Sequence, residues 1–257
     1  MKVLFIGDVV GKPGREGLAA AMPELRERCS PDLVIVNAEN SAGGVGVNEK
    51  SAKQLFEIGA DALTLGNHAY RHKDVYEYLD REPRIVRPLN FAAGNPGRGS
   101  TVVEAAGKRV GVVNLSGQVH LNVARNPFMA IDAELEKLEA DVVVVDFHAE
   151  VTSEKVAMGW YLDGRVAAVL GTHTHVPTAD ARVLPGGTAV ITDVGMTGSR
   201  AGIIGVKRAQ AIEALRTQMP VRFETAEEDV WIDGACVEIN ERGLADSVEQ
   251  ILMPAPA

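Results

Sequence analysis

What most limits the fold of this chain is a series of unbroken apolar runs, each closed by polar residues. Val3-Leu4-Phe5-Ile6 leads into Gly7-Asp8, Leu33-Val34-Ile35-Val36 into Asn37-Ala38-Glu39-Asn40, and Ala62-Leu63-Thr64-Leu65 into Gly66-Asn67-His68. Further along, Val110-Gly111-Val112-Val113 ends at Asn114 and Val142-Val143-Val144-Val145 at Asp146-Phe147-His148. A last run, Val166-Ala167-Ala168-Val169-Leu170, ends at Gly171-Thr172-His173-Thr174-His175. Runs without alternation predict strands buried on both faces, as in parallel sheets covered by helices. Helical spacing supplies the cover over 15–29, where Pro23 predicts a kink or restart, and over 51–58, 74–79 and 131–138. The last third predicts antiparallel strands over 180–184, 189–192, 221–224 and 230–238, with one helix over 207–218. This alternation implies layered α/β architecture. No linker, repeat or sharp boundary divides the chain, so 1–257 reads as a single domain. The polar segment 117–128 has no clean period and could form a lid.

Bulk properties exclude several classes. A hydrophobic content of 46% is enough for a large core. The formal net charge of -9 argues against a dedicated nucleic-acid-binding surface, which needs a basic face. It leaves room for a nucleotide held locally. Cys29 and Cys236 stand too far apart in sequence to suggest a disulfide scaffold or a thiolate zinc site. No long apolar span and no signal-peptide pattern is present, so the expectation is a cytoplasmic protein with no membrane partner. Gly11-Lys12 is not a phosphate loop, because Gly7 to Gly11 encloses three residues rather than four and Pro13 follows the lysine.

The chemistry lies in where the polar residues fall. Asp8, Glu39, Asn40, Asn67, His68, His148, His173 and His175 all sit at or just past the ends of the apolar runs. In α/β sheets that edge is where ligands bind. On an extended backbone His173 and His175 point the same way, roughly 6–7 Å apart at the base, close enough to converge on a metal or a metal pair. A pair of divalent ions needs a carboxylate able to bridge them, and Asp8 and Glu39 are the acidic residues at the first two run ends. Histidines and carboxamides complete a nitrogen/oxygen shell without sulfur, which suits iron, manganese or zinc. Two carboxylates against two dications leave a net positive charge that could hold phosphate.

The ordered set Gly7-Asp8, Gly66-Asn67-His68, His148 and Gly171-Thr172-His173-Thr174-His175 resembles the calcineurin-like metallophosphoesterase superfamily across nearly the whole chain. Asn37-Ala38-Glu39-Asn40, Asp146-Phe147-His148-Ala149-Glu150 and Thr192-Asp193-Val194-Gly195-Met196-Thr197-Gly198 are more closely similar to its bacterial YmdB branch. The resemblance implies a four-layer α/β/β/α sandwich of two mixed β-sheets flanked by helices. It implies that Asp8, Asn40 and His175 hold a first metal, that Asn67, His148 and His173 hold a second, and that Glu39 bridges them. His68 would stay off the metals as general acid. Val10 stands where most of the superfamily has a histidine, and Asn40 takes its place in the first site.

The implied activity is a dinuclear-metal phosphodiesterase acting on small phosphodiesters, 2′,3′-cyclic nucleotides among them, by attack of a metal-bridging hydroxide. The metals would be two divalent or mixed-valence ions, iron or manganese before zinc. Two other readings remain: a nucleotide-binding regulatory protein with little turnover, and a phosphomonoesterase or protein phosphatase. The family also gives some expectation of a homo-oligomer. Glu150, Asp193 and Thr174 are candidates to orient the ligand imidazoles. His72 reads as a surface residue, and His120 stays unplaced within 117–128, with a substrate contact as the minority reading.

Overall fold

The computed structural model describes residues 1–256. In chain order the elements are β1 (Lys2–Ile6), β2 (Asp8–Val9), α1 (Gly11–Cys29), β3 (Leu33–Asn37), α2 (Glu49–Ile58), β4 (Ala62–Thr64), a 3₁₀ turn (Lys73–Val75), α3 (Tyr76–Arg81), β5 (Ile85–Val86), β6 (Ser100–Ala105) and β7 (Lys108–Ser116). They continue with α4 (Pro127–Leu135), β8 (Val142–His148), α5 (Thr152–Tyr161), β9 (Ala168–Thr172), β10 (Arg182–Val183), β11 (Ala189–Ile191), β12 (Met196–Ser199), α6 (Arg208–Thr217), β13 (Val230–Ile239) and β14 (Ala245–Pro254). One sheet has the order β2-β12-β13-β1-β3-β4-β5, with β14 also paired to β13; the other has the order β10-β11-β9-β8-β7-β6. Each mixes parallel pairs, such as β1 with β3 and β8 with β9, and antiparallel ones, such as β1 with β13 and β6 with β7.

Three apolar layers hold these sheets together. Val3, Phe5, Leu33 and Ile35 of the first sheet meet Val112, Val144 and Leu170 of the second in a central core. Leu4, Ile6, Val34 and Val36 point the other way, into a layer shared with Leu18, Leu25 and Leu55 of α1 and α2. Val145, Phe147 and Val169 pack outward with Ile131 and Met158 of α4 and α5. Both faces of the parallel strands are therefore buried, which is why their sequences are continuous rather than alternating. The result is the α/β/β/α sandwich that the family resemblance implies.

Strand register explains where the site lies. Odd positions of β3 and even positions of β7, β8 and β9 face between the sheets, because side chains alternate. Towards the strand ends these inward positions turn polar: Asn37, Asn114, Asp146, His148 and Thr172, all buried. Asn114 pairs in register with Asp146, and His148 with Thr172. The central core is thus capped by a polar layer that bridges the sheets, with Asn37 Nδ2 donating to Asp146 Oδ2 at 2.8 Å.

Several elements differ from the sequence expectation. Helix α1 begins at Gly11 and passes through Pro23 without a break. The proline sits on the exposed face, where the carbonyl it leaves unpaired, that of exposed Ala19, can reach water. The 221–224 stretch is not a strand; only an isolated bridge between Val206 and Thr225 forms there. Strand β11 is antiparallel to β10 but parallel to β9. Helix α5 and strands β6 and β14 have no counterpart in the sequence expectation. No helix among the described residues is long and apolar enough to cross a membrane.

Candidate metal centre

All eight candidate residues come from the strand ends and the loops after them, and the structure brings them to one place. Asp8 lies on β2, Glu39 and Asn40 in the turn after β3, Asn67 and His68 in the turn after β4, and His148 on the last residue of β8. His173 and His175 follow β9, but not as an extended pair. Their φ angles are +100° and +64°, so a bent loop, not strand alternation, makes the two rings converge. A non-glycine residue at such angles is strained and persists only where its surroundings hold it.

The first group joins Asp8, Asn40 and His175. Asp8 is fully buried, its Oδ2 accepts from the backbone N–H of His173 at 3.1 Å, and its Oδ1 has no hydrogen-bond partner. His175 Nε2 lies 3.7 Å from that orphaned oxygen and 3.1 Å from Asn40 Nδ2. His175 Nδ1 faces the carbonyl of Ile204 at 3.1 Å and so carries the proton, which leaves Nε2 with a lone pair.

The second group joins Glu39, Asn67, His148 and His173. His148 Nε2 is 2.9 Å from Glu39 Oε1, 3.0 Å from Asn67 Oδ1 and 3.0 Å from His173 Nδ1. The far sides of both rings fix their protons. Thr172 Oγ1 donates to Asp146 Oδ1 at 2.7 Å and so can only accept from His148 Nδ1, at 2.9 Å, when Asp146 is ionised. His173 Nε2 faces Glu150 Oε2 at 3.0 Å. With those protons on the far sides and Glu39 ionised, four lone-pair atoms face each other at about hydrogen-bond distance, an arrangement that a cation would relieve.

Glu39 belongs to the second group, and its other oxygen, Oε2, accepts from the backbone N–H of His68 at 3.0 Å. The space is made by Gly66, where a Cβ would collide with Glu39 Oε2 and His148 Nε2. Electrostatics fit the same ligand. Burial raises the Asp8 and Glu39 carboxyls above their usual range, partly offset by facing imidazoles. Burial also pushes His148 and His173 down to about 4, so both rings are neutral at physiological pH. Neutral imidazoles and carboxylates are the ligating forms, and bound cations hold them there. The donor set therefore fits metal ions, and its lack of sulfur suits iron, manganese or zinc.

His68 stands apart. Its Nε2 accepts from Asn67 Nδ2 at 3.3 Å, and its ring lines a cavity of about 350 Å³ over the centre. The floor of this cavity includes Glu39, Asn40, His173 and His175.

The sequence expectation lacks two supports, Asp146 and Lys155. Asp146, raised to about 7 by burial, anchors Asn37 and Thr172 beneath the donor groups. Its spacing of two from His148 on one strand is the available signal. Lys155 on α5 is buried, and its Nζ donates to Asp193 Oδ2 at 2.6 Å and to the Thr172 carbonyl at 2.8 Å. Asp193 Oδ2 also accepts from the N–H and hydroxyl of Thr174, at 3.1 and 2.8 Å. This pair ties down the chain on both sides of His173. Glu150, Asp193 and Thr174, the candidates to orient the imidazoles, thus all bear on the histidine loop.

His72 is partly buried rather than a free surface residue, with Nε2 facing the Val45 carbonyl at 2.9 Å. His120 is exposed at φ +64° within 117–128, a segment tied to Glu154 through Gln118 and to Asn90 through Ala124 and Arg125.

Comparison with known proteins gives a consistent picture. The family model for YmdB-like protein matches residues 4–251. The chain is 47% identical over 257 residues to the 2′,3′-cyclic-nucleotide 2′-phosphodiesterase of Bacillus subtilis (strain 168), covering 98% of this chain and 97% of that protein. A crystal structure of a hypothetical protein from Thermus thermophilus superposes with a TM-score of 0.94 at 42% identity, covering 100% of both chains. A novel phosphatase of Mycoplasma pneumoniae superposes with a TM-score of 0.92 at 36% identity, covering 99% of this chain and 93% of that one.

Proposed function

We propose that this chain, which belongs to the YmdB-like protein family, is a metal-dependent phosphodiesterase whose substrates include 2′,3′-cyclic nucleotides. The observation that carries the reading is the buried cluster of donor atoms around His148 Nε2, with the orphaned Asp8 oxygen 4.0 Å from Nδ1 of the same ring. Asp8, Asn40 and His175 would hold one divalent ion, Asn67, His148 and His173 a second, and Glu39 would be shared. Two such ions supply Lewis acidity, neutralising phosphate oxygens and lowering the pKa of water at neutral pH.

The chain's own groups do the rest. Thr172 and Glu150 keep the lone pairs of His148 and His173 turned inward. Asp8, through the His173 N–H, and Lys155, through Asp193, hold the bent histidine loop. His68 lines the cavity without contacting a carboxylate through its ring, which suits it to give a proton to the leaving alkoxide. The cavity takes a small molecule, and a net charge of -9 offers a polyanion little to hold. Iron or manganese is the first choice of metal.

The name of the Mycoplasma pneumoniae relative keeps a phosphatase reading in view. Metal-loaded protein incubated with bis-p-nitrophenyl phosphate, p-nitrophenyl phosphate and a 2′,3′-cyclic nucleotide separates the cases. Faster turnover of the diesters is the expected result. Monoester preference supports the phosphatase, and nucleotide binding without turnover supports a regulatory protein.

A further inference from the structure

The cavity over the centre has a second face of opposite chemistry. Against the polar floor stands a wall of Ile203, Ile204, Val206, Leu215 and Phe223. Ile204, Leu215 and Phe223 remain 53%, 77% and 48% exposed, beside a centre built for charge. Exposed apolar side chains gathered at a cleft mark a binding surface more often than scattered ones do. Ile204 is also held at φ +44°, a costly conformation for a β-branched residue, and its carbonyl is fixed by His175 Nδ1. Wall and floor are thus locked together at a set separation.

Whatever occupies the wall is tied to the phosphorus that the floor handles. A volume of about 350 Å³ lies in the range of pockets for small ligands. No side chain of the wall carries a polar atom, and Phe223 is its aromatic ring. Several backbone groups there are already paired: Ile203 and Val206 bond each other at 2.8 and 3.1 Å, the Ile204 carbonyl faces His175, and the Val45 carbonyl across the cavity faces His72. A base presented to this wall finds apolar area and an aromatic face, but no side-chain partner from the wall for its edges. Strong discrimination needs such partners, because rejection comes from leaving a buried polar group unpaired.

Resting on the phosphodiesterase reading, we infer that the wall formed by Ile203, Ile204, Val206, Leu215 and Phe223 seats the nucleobase of the substrate, without choosing among bases. The wall acts through binding, so its contribution falls on KM rather than kcat. Stacking on an aromatic ring is tolerant of sequence because every base has a π-face.

The test compares kcat/KM of manganese-loaded protein on the four nucleoside 2′,3′-cyclic phosphates and on methyl ribofuranoside 2′,3′-cyclic phosphate, which keeps the sugar and cyclic diester but lacks the base. The four nucleotides should agree within about fivefold, and the baseless compound should fall roughly 10- to 100-fold below them, mainly through KM. In Phe223→Ala, and more weakly in Leu215→Ala, the gap between nucleotide and baseless substrate should shrink several-fold. Equal kcat/KM with and without a base overturns the inference, as does a preference of about 100-fold for one base. If the wall instead packs against a second copy of the chain, Leu215→Asp changes the mass in solution while the base makes no difference, which also overturns it. If no diester is cleaved, the phosphodiesterase reading fails, and equilibrium binding of adenosine 3′-monophosphate against ribose phosphate then decides the wall. Tighter binding of the nucleotide supports a base seat, and equal binding overturns it.

Discussion

The floor and the wall of the same cavity are held in place very differently. Donor groups on the floor are buried or nearly so and braced from behind: His148 by Thr172 and Asp146, His173 by Glu150, and the loop around them by Lys155 and Asp193. The wall is apolar, half in water, and comes from α6 and the irregular chain on either side of it. A centre that must hold charge at fixed distances needs partners for every polar atom, because an unpaired buried group is costly. A surface that receives an apolar plane needs only shape and area. The contrast assigns precision to the floor and tolerance to the wall, and substitutions on the two faces should behave accordingly.

The largest effect belongs to Glu39→Gln, which removes the shared carboxylate. We expect loss of the paired ions by elemental analysis and turnover reduced to background; full metal occupancy would contradict a shared ligand. His68→Ala should lower kcat by about 10²–10⁴-fold with metal content near wild type, and metal loss would instead place His68 among the ligands. Lys155→Met leaves Asp193 buried without its partner, a change that typically costs about 3–5 kcal/mol. Metal affinity should also fall by roughly 10–100-fold, as for other groups that orient ligands. Lys155→Arg should recover part of both, and unchanged metal affinity in Lys155→Met would confine this pair to a purely structural role.

The smallest effect is in acid. His148 and His173 are held near 4 by burial. Unfolded histidine takes up its proton near 6.5, so from there down to about 4 the unfolded chain binds protons that these two rings refuse. Their contribution to stability is complete above about 6.5 and is lost as the pH falls towards 4. Ring-proton NMR of metal-free protein should find two histidines that do not titrate between pH 7 and 5. Ordinary titration of His148 and His173 in that range would remove the electrostatic half of the contrast.

Legibility from the sequence follows the same division. Parallel strands buried on both faces write themselves as continuous apolar runs, so their polar ends, and with them Asp8, Glu39, Asn67 and His148, are readable. The histidine pair is readable for a reason the fold does not use, since the loop bends where strand alternation would extend it. Lys155 is hidden because α5 carries Gly159 in its interior, a residue that fits closely against Val190 rather than favouring a helix. The wall leaves no pattern: Phe223 lies in a stretch that looks like a strand but forms only one isolated bridge, between Val206 and Thr225, and Leu215 is one apolar position on a helix exposed along much of its length. Strand β14 is largely solvent-facing and mixes polar with apolar residues, so it lacks the continuous run that announces the buried strands.

Anomalous diffraction from crystals soaked in manganese would test the central claim most directly. Two peaks per chain are expected, one among Asp8, Asn40 and His175 and one among Asn67, His148 and His173, with Glu39 touching both. A single peak elsewhere on the acidic surface, with the Glu39 and His148 side chains unmoved and unliganded, would contradict it.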